Sequence, residues 1–585
     1  MKSRITITTL FLLLLIGMGV FLQETQASLF LYREQQQIFL WDGDYISSLL
    51  IQVGGLSTLA AQFLIQFFTI PYMGALTTAA LIGITACFLW LTVKRWGCSW
   101  WLLPVVMLAP CVQAIYLLDM GYHYEGLIAL LFCTVLLYGY SVIADTSSWW
   151  MRTLTGCVFS ACLFLYIGSI ATLFALCAFL SDMLHKRKKG WLSAVYLLIC
   201  ITLALFTVAN GTVVGYDYAL WTKGYYEYYV EQDLWHAVSW LLVPLIVLFA
   251  SVAKRFQLKP ILQTALCIIL LAAGGVFLYV QSAKRTNQDF RTLAELMDSI
   301  NHEDWEGVVN NPALNYQNYL HLNCLNLALS HQGRLMTDLL KYPQKGSKSL
   351  MVGYQAYNDL NVLFSHIYYH TGVISEALCL SFGTMIATTH GNPSLLKLLI
   401  KERLIYGDYE VAEKYITRLE KTFAYQAWAT DMRRFLYNDE AVGGDPELGQ
   451  KRKSLPAPQP SFVVVDGVMA DFIKVIESDT DEQHALEYAM AMMMLDKNMD
   501  GIRYLADRYL PYSDGKAVPP LMQQAVTVLA EHDEDYCRSH GVSEETLSRF
   551  MSFRQAVMNA RRNNQNLQSA LAPFRGTYWY YYMFS

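Results

Sequence analysis

Between Ile5 and Ala283 the chain is a succession of apolar runs with only short polar breaks. Backbone N–H and C=O groups cannot go unbonded in hydrocarbon, so a run of about 20 apolar residues has one way to cross a bilayer, as a helix. The sequence predicts such spans near 5–22, 71–93, 98–118, 124–143, 191–210, 236–253 and 260–283. Charge follows the same division. Residues 1–283 hold 14 Lys+Arg and 12 Asp+Glu, and the remaining 302 residues hold 29 and 36. Two solvents have shaped one chain, and its slight acidity leaves no basic excess for nucleic acid.

The apolar stretch from Thr153 to Leu184 is 32 residues, about 48 Å as one helix. Lys186, Arg187, Lys188 and Lys189 follow it directly. Clusters of this kind stay cytoplasmic, so the stretch is expected to break at Gly168-Ser169 into spans 153–167 and 169–184. That gives nine spans, with twelve basic residues in the inner segments against Arg33 and Lys223 in the outer loops before the last span. The parity puts the N-terminus in the cytoplasm and everything after residue 283 outside, which in a bacterial inner membrane is the periplasm. Lys2 and Arg4 ahead of the first run also fit a signal peptide with Thr25-Gln26-Ala27 as cleavage site, but the length of the run favours an uncleaved anchor. Residues 55–70 are short for a span and read as an interfacial or re-entrant helix.

Nine of the twelve cysteines lie in or beside these spans, where a thiol behaves as a small apolar group. Cys324, Cys379 and Cys537 are too far apart in sequence to form a disulfide framework.

From Phe290 onward, amphipathic helical patterns alternate with Gly, Asn, Asp or Pro breaks. Gly372 and Ala377 in GVISEA, and Gly407 and Ala412 in GDYEVA, repeat a GxxxxA pattern at a spacing of 35 residues, close to the TPR period. The expected fold is therefore all-α: a polytopic transmembrane bundle over 1–283, then a TPR-like helical domain over 284–440, a Gly- and Pro-rich loop or hinge at 441–461, and a second helical subdomain at 462–585. The aromatic end, GTYWYYYMFS, is expected to pack on the last helices. A helical stack of this kind presents a concave face to a protein partner.

Chemistry is expected in three outer loops. Asp42-Gly43-Asp44 in loop one forms a DxD, which can hold a divalent cation or supply a general base toward an acceptor hydroxyl. Loop two packs Asp119, His123 and Glu125 into one short turn. Loop four carries eight aromatics in 25 residues, among them Tyr218, Trp221 and Tyr225, together with Lys223. Such rings stack on sugars or anchor at the headgroup boundary. The candidate catalytic residues are therefore Asp42, Asp44, Asp119, His123 and Glu125, and the candidate substrate contacts Arg33, Tyr218, Trp221, Lys223 and Tyr225. No cofactor other than a divalent cation is called for, and Walker, HExxH, GxSxG and dinucleotide fingerprints are absent. Asp182 lies near the end of its helix, within expected reach of the headgroups, so no intramembrane charge pair argues for a transporter.

In layout the chain resembles C-type membrane glycosyltransferases, with paired acids in the first loop, Asp42 and Asp44, an acidic second turn and a soluble domain after the last span. That resemblance implies transfer of a sugar from a polyprenyl-phosphate carrier. YREQQQIFL with DGDY, GGLSTLAAQFLIQFFTIPYMGAL, LNLALSHQGRL, LIYGDYEVAEKYITRLEKT and GTYWYYYMF are similar to an uncharacterised family of bacterial polytopic membrane proteins with a C-terminal TPR-like domain. This resemblance implies the architecture and no activity. The sequence thus leaves two functions open: an envelope scaffold whose helical repeats bind a periplasmic or outer-membrane protein, and a glycosyltransferase acting on a lipid-linked sugar.

Overall fold

Every regular element among the described residues is a helix, as expected of a chain with long apolar runs in its first half and amphipathic segments in its second. The computed structural model describes residues 2–253, 259–352, 358–388, 391–455, 468–478, 483–512, 515–530 and 533–585. Lys254, Arg255, residues 456–461 of the expected hinge and the first residues of the segment from 462 lie outside that set. Two compact units result: Met1–Arg291 together with Lys421–Ala424, and Thr292–Glu420 together with Tyr425–Ser585.

The first unit contains α1 (Lys2–Gln35), α2 (Gly43–Leu50), α3 (Gly55–Ile65), α4 (Met73–Arg95), α5 (Leu103–Tyr116), α6 (Glu125–Thr146), α7 (Trp149–Tyr166), α8 (Ala171–Leu184), α9 (Ala194–Ala209), α10 (Tyr216–Leu220), α11 (Val238–Ala253) and α12 (Pro260–Arg285). Among the described residues, six helical segments are long and apolar enough to cross a membrane: Phe11–Gln35, Met73–Arg95, Glu125–Thr146, Gly190–Ala209, Leu234–Val252 and Pro260–Arg285. Their apolar character suggests association with a membrane. The interior is closed by α4, α5, α6 and α11, where Ala86, Val112, Leu127, Leu130 and Val247 are fully buried. Other apolar side chains, such as Ile268, Ile269 and Val276 of α12, point outward. In water that exposure would be unfavourable by roughly 25 cal/mol per Å²; in lipid it costs nothing.

Between α7 and α8 the helix stops for four residues, with Gly168 at φ +102°. A break of this kind strands backbone groups, and several of them find partners in loops one and four. Gly54 N–H donates to Leu165 O (3.0 Å), Ser57 Oγ donates to Ile167 O (3.2 Å), and the Tyr225 hydroxyl donates to Ile167 O (2.9 Å) while accepting from Ile170 N–H (3.3 Å). Loop one and loop four thereby hold the break shut.

The second unit is built of helices joined by one recurring turn. After Asn358–His370 the Gly372 N–H donates to Tyr369 O and the Val373 N–H to Tyr368 O; after Pro393–Tyr406 the Gly407 N–H donates to Leu404 O and the Asp408 N–H to Arg403 O. These are Schellman-type ends, in which a residue at positive φ caps the last carbonyls. Gly372 has φ +84° and Gly407 φ +80°, and the alanines five residues on, Ala377 and Ala412, are both fully buried against the preceding helix. The GxxxxA spacing in the sequence is thus a turn glycine plus a close-approach alanine. The same bond pair recurs at Glu303, Gly333, Lys497 and Gly541.

Residues 441–461, expected as a loop, instead begin with two short helices, Asp439–Gly444 and Leu448–Lys453. Val442 and Leu448 are buried, Arg452 donates to the carbonyls of Leu404 and Ile405, and Lys451 donates to His370 O. Composition suggested a hinge, but over the described residues 441–455 two apolar anchors and bonds to helix-end carbonyls hold the chain. The aromatic C-terminus packs as Tyr578–Phe584: Trp579 is buried, with Nε1 on Thr527 Oγ1 (2.8 Å), and the Tyr581 hydroxyl donates to Leu495 O (2.9 Å).

Candidate functional site

The first unit gathers its polar side chains at two ends of α6. At the Glu125 end, loops two and four run side by side as an isolated antiparallel bridge between Tyr122 and Tyr226. Its bonds are His123 N–H to Tyr225 O (2.9 Å) and Glu227 N–H to Gly121 O (2.8 Å). This register sets His123 Nε2 at 3.2 Å from Glu227 Oε1, both side chains partly exposed. Burial opposes protonation of His123, but the hydrogen bond to Glu227 and the negative charges of Glu125 and Glu227 outweigh it, so the ring keeps its proton to a higher pH than a free imidazole. Glu125 is buried at the first turn of α6, where negative charge meets the positive end of the helix dipole.

Arg33 joins the same cluster from the end of α1. Its guanidinium donates to Tyr122 O (2.6 Å), Leu117 O (2.9 Å) and Asp119 O (2.8 Å). These carbonyls end α5 and shape loop two, so Arg33 holds the turn together. Asp119 accepts from Gly121 N–H (2.9 Å) and faces His236 Nε2 at 4.0 Å. His236 also caps α11's entry: its Nδ1 accepts from Asp233 N–H (3.0 Å) while Asp233 Oδ1 accepts from Trp235 N–H (2.9 Å). Arg285, at the end of α12, lies 4.6 Å over the Trp235 ring and 3.9 Å from Asp233. Of the residues expected here, Arg33, Asp119, His123 and Glu125 therefore meet. His236 and Arg285 escaped the sequence reading, although Asp-x-x-His ahead of an apolar run carries the spacing of a capping box.

Asp42 and Asp44 sit elsewhere. Asp42 is the N-cap of α2: Oδ1 accepts from the N–H groups of Asp44 (3.0 Å) and Tyr45 (3.1 Å), and Oδ2 pairs with the Lys421 ammonium. That pairing, helped by the backbone bonds, holds the Asp42 carboxyl below its usual range. Asp44 is exposed in the first turn of α2. Neither makes a bond or ion pair with Asp119, His123 or Glu125. Lys223 is committed to Asp217 (3.0 Å) and lies 5.1 Å over Tyr218, Tyr225 holds the α7–α8 break, and Trp221 is partly exposed beside Trp240 (6.2 Å). Among the described residues no group of three or more His, Cys, Asp or Glu is arranged to hold a metal ion.

At the other end of α6 lies a network that the sequence reading did not foresee. Asp182 does not reach out toward headgroups; it is fully buried between Arg152 Nε (3.0 Å), Arg187 Nη1 (3.0 Å) and the Tyr140 hydroxyl (2.8 Å). Arg187 continues to Asp145 (2.5 Å), which meets Arg95 (3.0 Å). Two arginines close enough to neutralise the carboxylate make burial cheaper than escape.

A family model described as a family of unknown function (DUF6057) matches residues 2–585, and the chain belongs to that family. No curated protein and no solved structure matches it.

Proposed function

We propose that this member of a family of unknown function is an integral inner-membrane protein of the cell envelope whose second unit, a periplasmic TPR-like array, binds a protein partner. The observation that carries the reading is the 35-residue recurrence of turn glycine and buried alanine at Gly372/Ala377 and Gly407/Ala412, with helices packed in chain order around it. Arrays of this type use their faces for protein recognition. Nine spans, with α7 and α8 as a broken pair and α3 re-entrant, complete the membrane part. The basic end holding Arg95, Arg152 and Lys186–Lys189 is then cytoplasmic, and the His123 end faces the periplasm. The candidate catalytic acid Asp42 is already engaged as a cap and ion pair, which also favours a scaffold.

A second reading, a glycosyltransferase using a polyprenyl-phosphate-linked sugar, draws on the partly exposed His123–Glu227 pair, which can exchange a proton with an acceptor hydroxyl. Complementation of a deletion strain separates the two. The scaffold reading expects full complementation by Asp42→Asn/Asp44→Asn and by His123→Gln/Glu227→Gln at wild-type protein level. It also expects photo-crosslinkers at several exposed positions of the second unit to capture one and the same protein. Failure of either double variant to complement at normal abundance sinks the scaffold reading in favour of the enzyme.

A further inference from the structure

The turn after α8 carries four consecutive basic residues, and their side chains do different work. Arg187 turns inward onto Asp182 and Asp145, while Lys186, Lys188 and Lys189 remain exposed. Lys186 and Lys189 have φ +48° and +53°, a left-handed backbone that non-glycine residues adopt only where the surroundings impose it. Buried groups hold the turn in that shape: Arg187 N–H donates to Asp182 O (3.1 Å) and Arg152 Nη2 donates to Lys188 O (2.8 Å). Gly190 lies so close to Asp182 O that an added Cβ would sit 3.0 Å from it.

The display has a matching surround. Lys189 Nζ lies 3.8 Å over the Trp149 ring, Trp150 and Trp191 are exposed, and Lys94 is exposed next to Arg95, which reaches the same network through Asp145. None of Lys94, Lys186, Lys188 or Lys189 has a carboxylate partner among the described residues. Next to these cations, the outward faces of α7 and α9 expose Leu154, Val158, Leu198, Ile201 and Leu205. Ammonium groups on a backbone-held turn, indoles beside it and an apolar wall on α7 and α9 offer contacts for the phosphate, glycerol and acyl chain of one amphiphile.

We propose that the Lys186–Gly190 turn with Trp149, Trp150 and Trp191 is a binding site for the phosphate headgroup of an anionic phospholipid. It rests on the reading of the first unit as membrane-embedded. A soluble phosphate offers the same charge but nothing for the apolar wall, so the lipid is the occupant the surface fits.

The test uses the full chain reconstituted into neutral phosphatidylcholine bilayers and then extracted for native mass spectrometry with equal phosphatidylglycerol and phosphatidylcholine. Failure to insert would remove the membrane reading itself. Given insertion, retained phosphatidylglycerol in preference to phosphatidylcholine is expected, weakened by about fivefold for each lysine lost at low salt in Lys186→Gln/Lys188→Gln/Lys189→Gln. Lys188→Gln alone, at an exposed side chain, supplies the measurement if the triple variant does not fold. Equal retention of both lipids, unchanged preference in the variants, or inorganic phosphate competing as well as phosphatidylglycerol overturns the proposal.

Discussion

The His331 imidazole lies flat on that of His370, with centroids 4.0 Å apart and planes 18° from parallel. Trp305 stacks on the far face of His331 at 3.9 Å, and His484 approaches His370 at 4.7 Å. Stacked rings at this distance repel if more than one is charged. Burial first, then the Lys451 ammonium, hold His331 and His484 down to about 4; burial, then His331 and Lys451, hold His370 well below its ordinary value. Lys401 also opposes protonation of His331 and Glu447 favours it.

The stack should therefore make the second unit acid-sensitive. In the unfolded chain these rings take up protons near pH 6.5; in the folded chain His331 and His484 do not until about pH 4, and His370 is likewise held well below its ordinary value. Stability is full above pH 6.5, falls as pH drops from 6.5 to 4, and levels off below. Because His331 is exposed at its edge, its share is discounted for solvent screening, and the total loss is on the order of 3 kcal/mol. Thermal melts of the full chain across that range should show the slope, and His370→Phe/His484→Phe should flatten it. An unchanged slope in that variant would assign the acid sensitivity to other groups.

Tyr225→Phe should destabilise the first unit by about 1–3 kcal/mol, because the lost hydroxyl leaves Ile170 N–H without its acceptor and takes one of two donors from Ile167 O. Gly168→Ala acts on the same break through φ +102° and also sets a Cβ 3.3 Å from the Tyr225 hydroxyl. Melting of purified protein reads both, and because the two side chains touch, the double variant is expected to lose less than the sum of the single ones; strict additivity would show that the contact does not couple them.

Asp182→Asn leaves Arg152 and Arg187 partly uncompensated in a buried site, at a cost of about 3–5 kcal/mol. The expected result is low yield and a lowered melting temperature. Asp145→Asn, at a carboxylate 38% exposed, should cost under about 1 kcal/mol. Equal effects would show that depth in the unit does not decide the outcome.

The apolar helices were legible from their long runs of apolar residues, and the helix break at Gly168 from the four basic residues that follow the stretch. The partners of that break were not, since Gly54, Ser57 and Tyr225 are brought to it only by tertiary packing. Loop two's Asp119, His123 and Glu125 could be read from their closeness in sequence. Glu227's partnership with His123 depends on a two-bond bridge across 100 residues of chain, which no local pattern encodes. Asp42-Gly43-Asp44 carried a metal-like pattern, and an Asp before a helix is also an N-cap, the role that Asp42 fills at α2.

The helix ends of the second unit show the same limit, and they yield a prediction of opposite sign to most substitutions. The GxxxxA repeat exposed only those turns that use glycine. Glu303 occupies the identical turn at φ +58°, with its N–H on Ile300 O and the next N–H on Ser299 O, although nothing in its identity marks it. An L-residue there carries about 1–2 kcal/mol of left-handed strain, whereas glycine carries none but loses more entropy on folding, by up to about 1 kcal/mol. Glu303 is exposed and its side chain makes no ion pair among the described residues, so nothing else is lost with it. Glu303→Gly should therefore stabilise the chain by about 0.5–1 kcal/mol, while Gly372→Ala, at φ +84°, should destabilise it by at least as much. Chemical unfolding followed by tryptophan fluorescence checks both signs, and a destabilised Glu303→Gly would mean that chain entropy, rather than backbone strain, governs these turns.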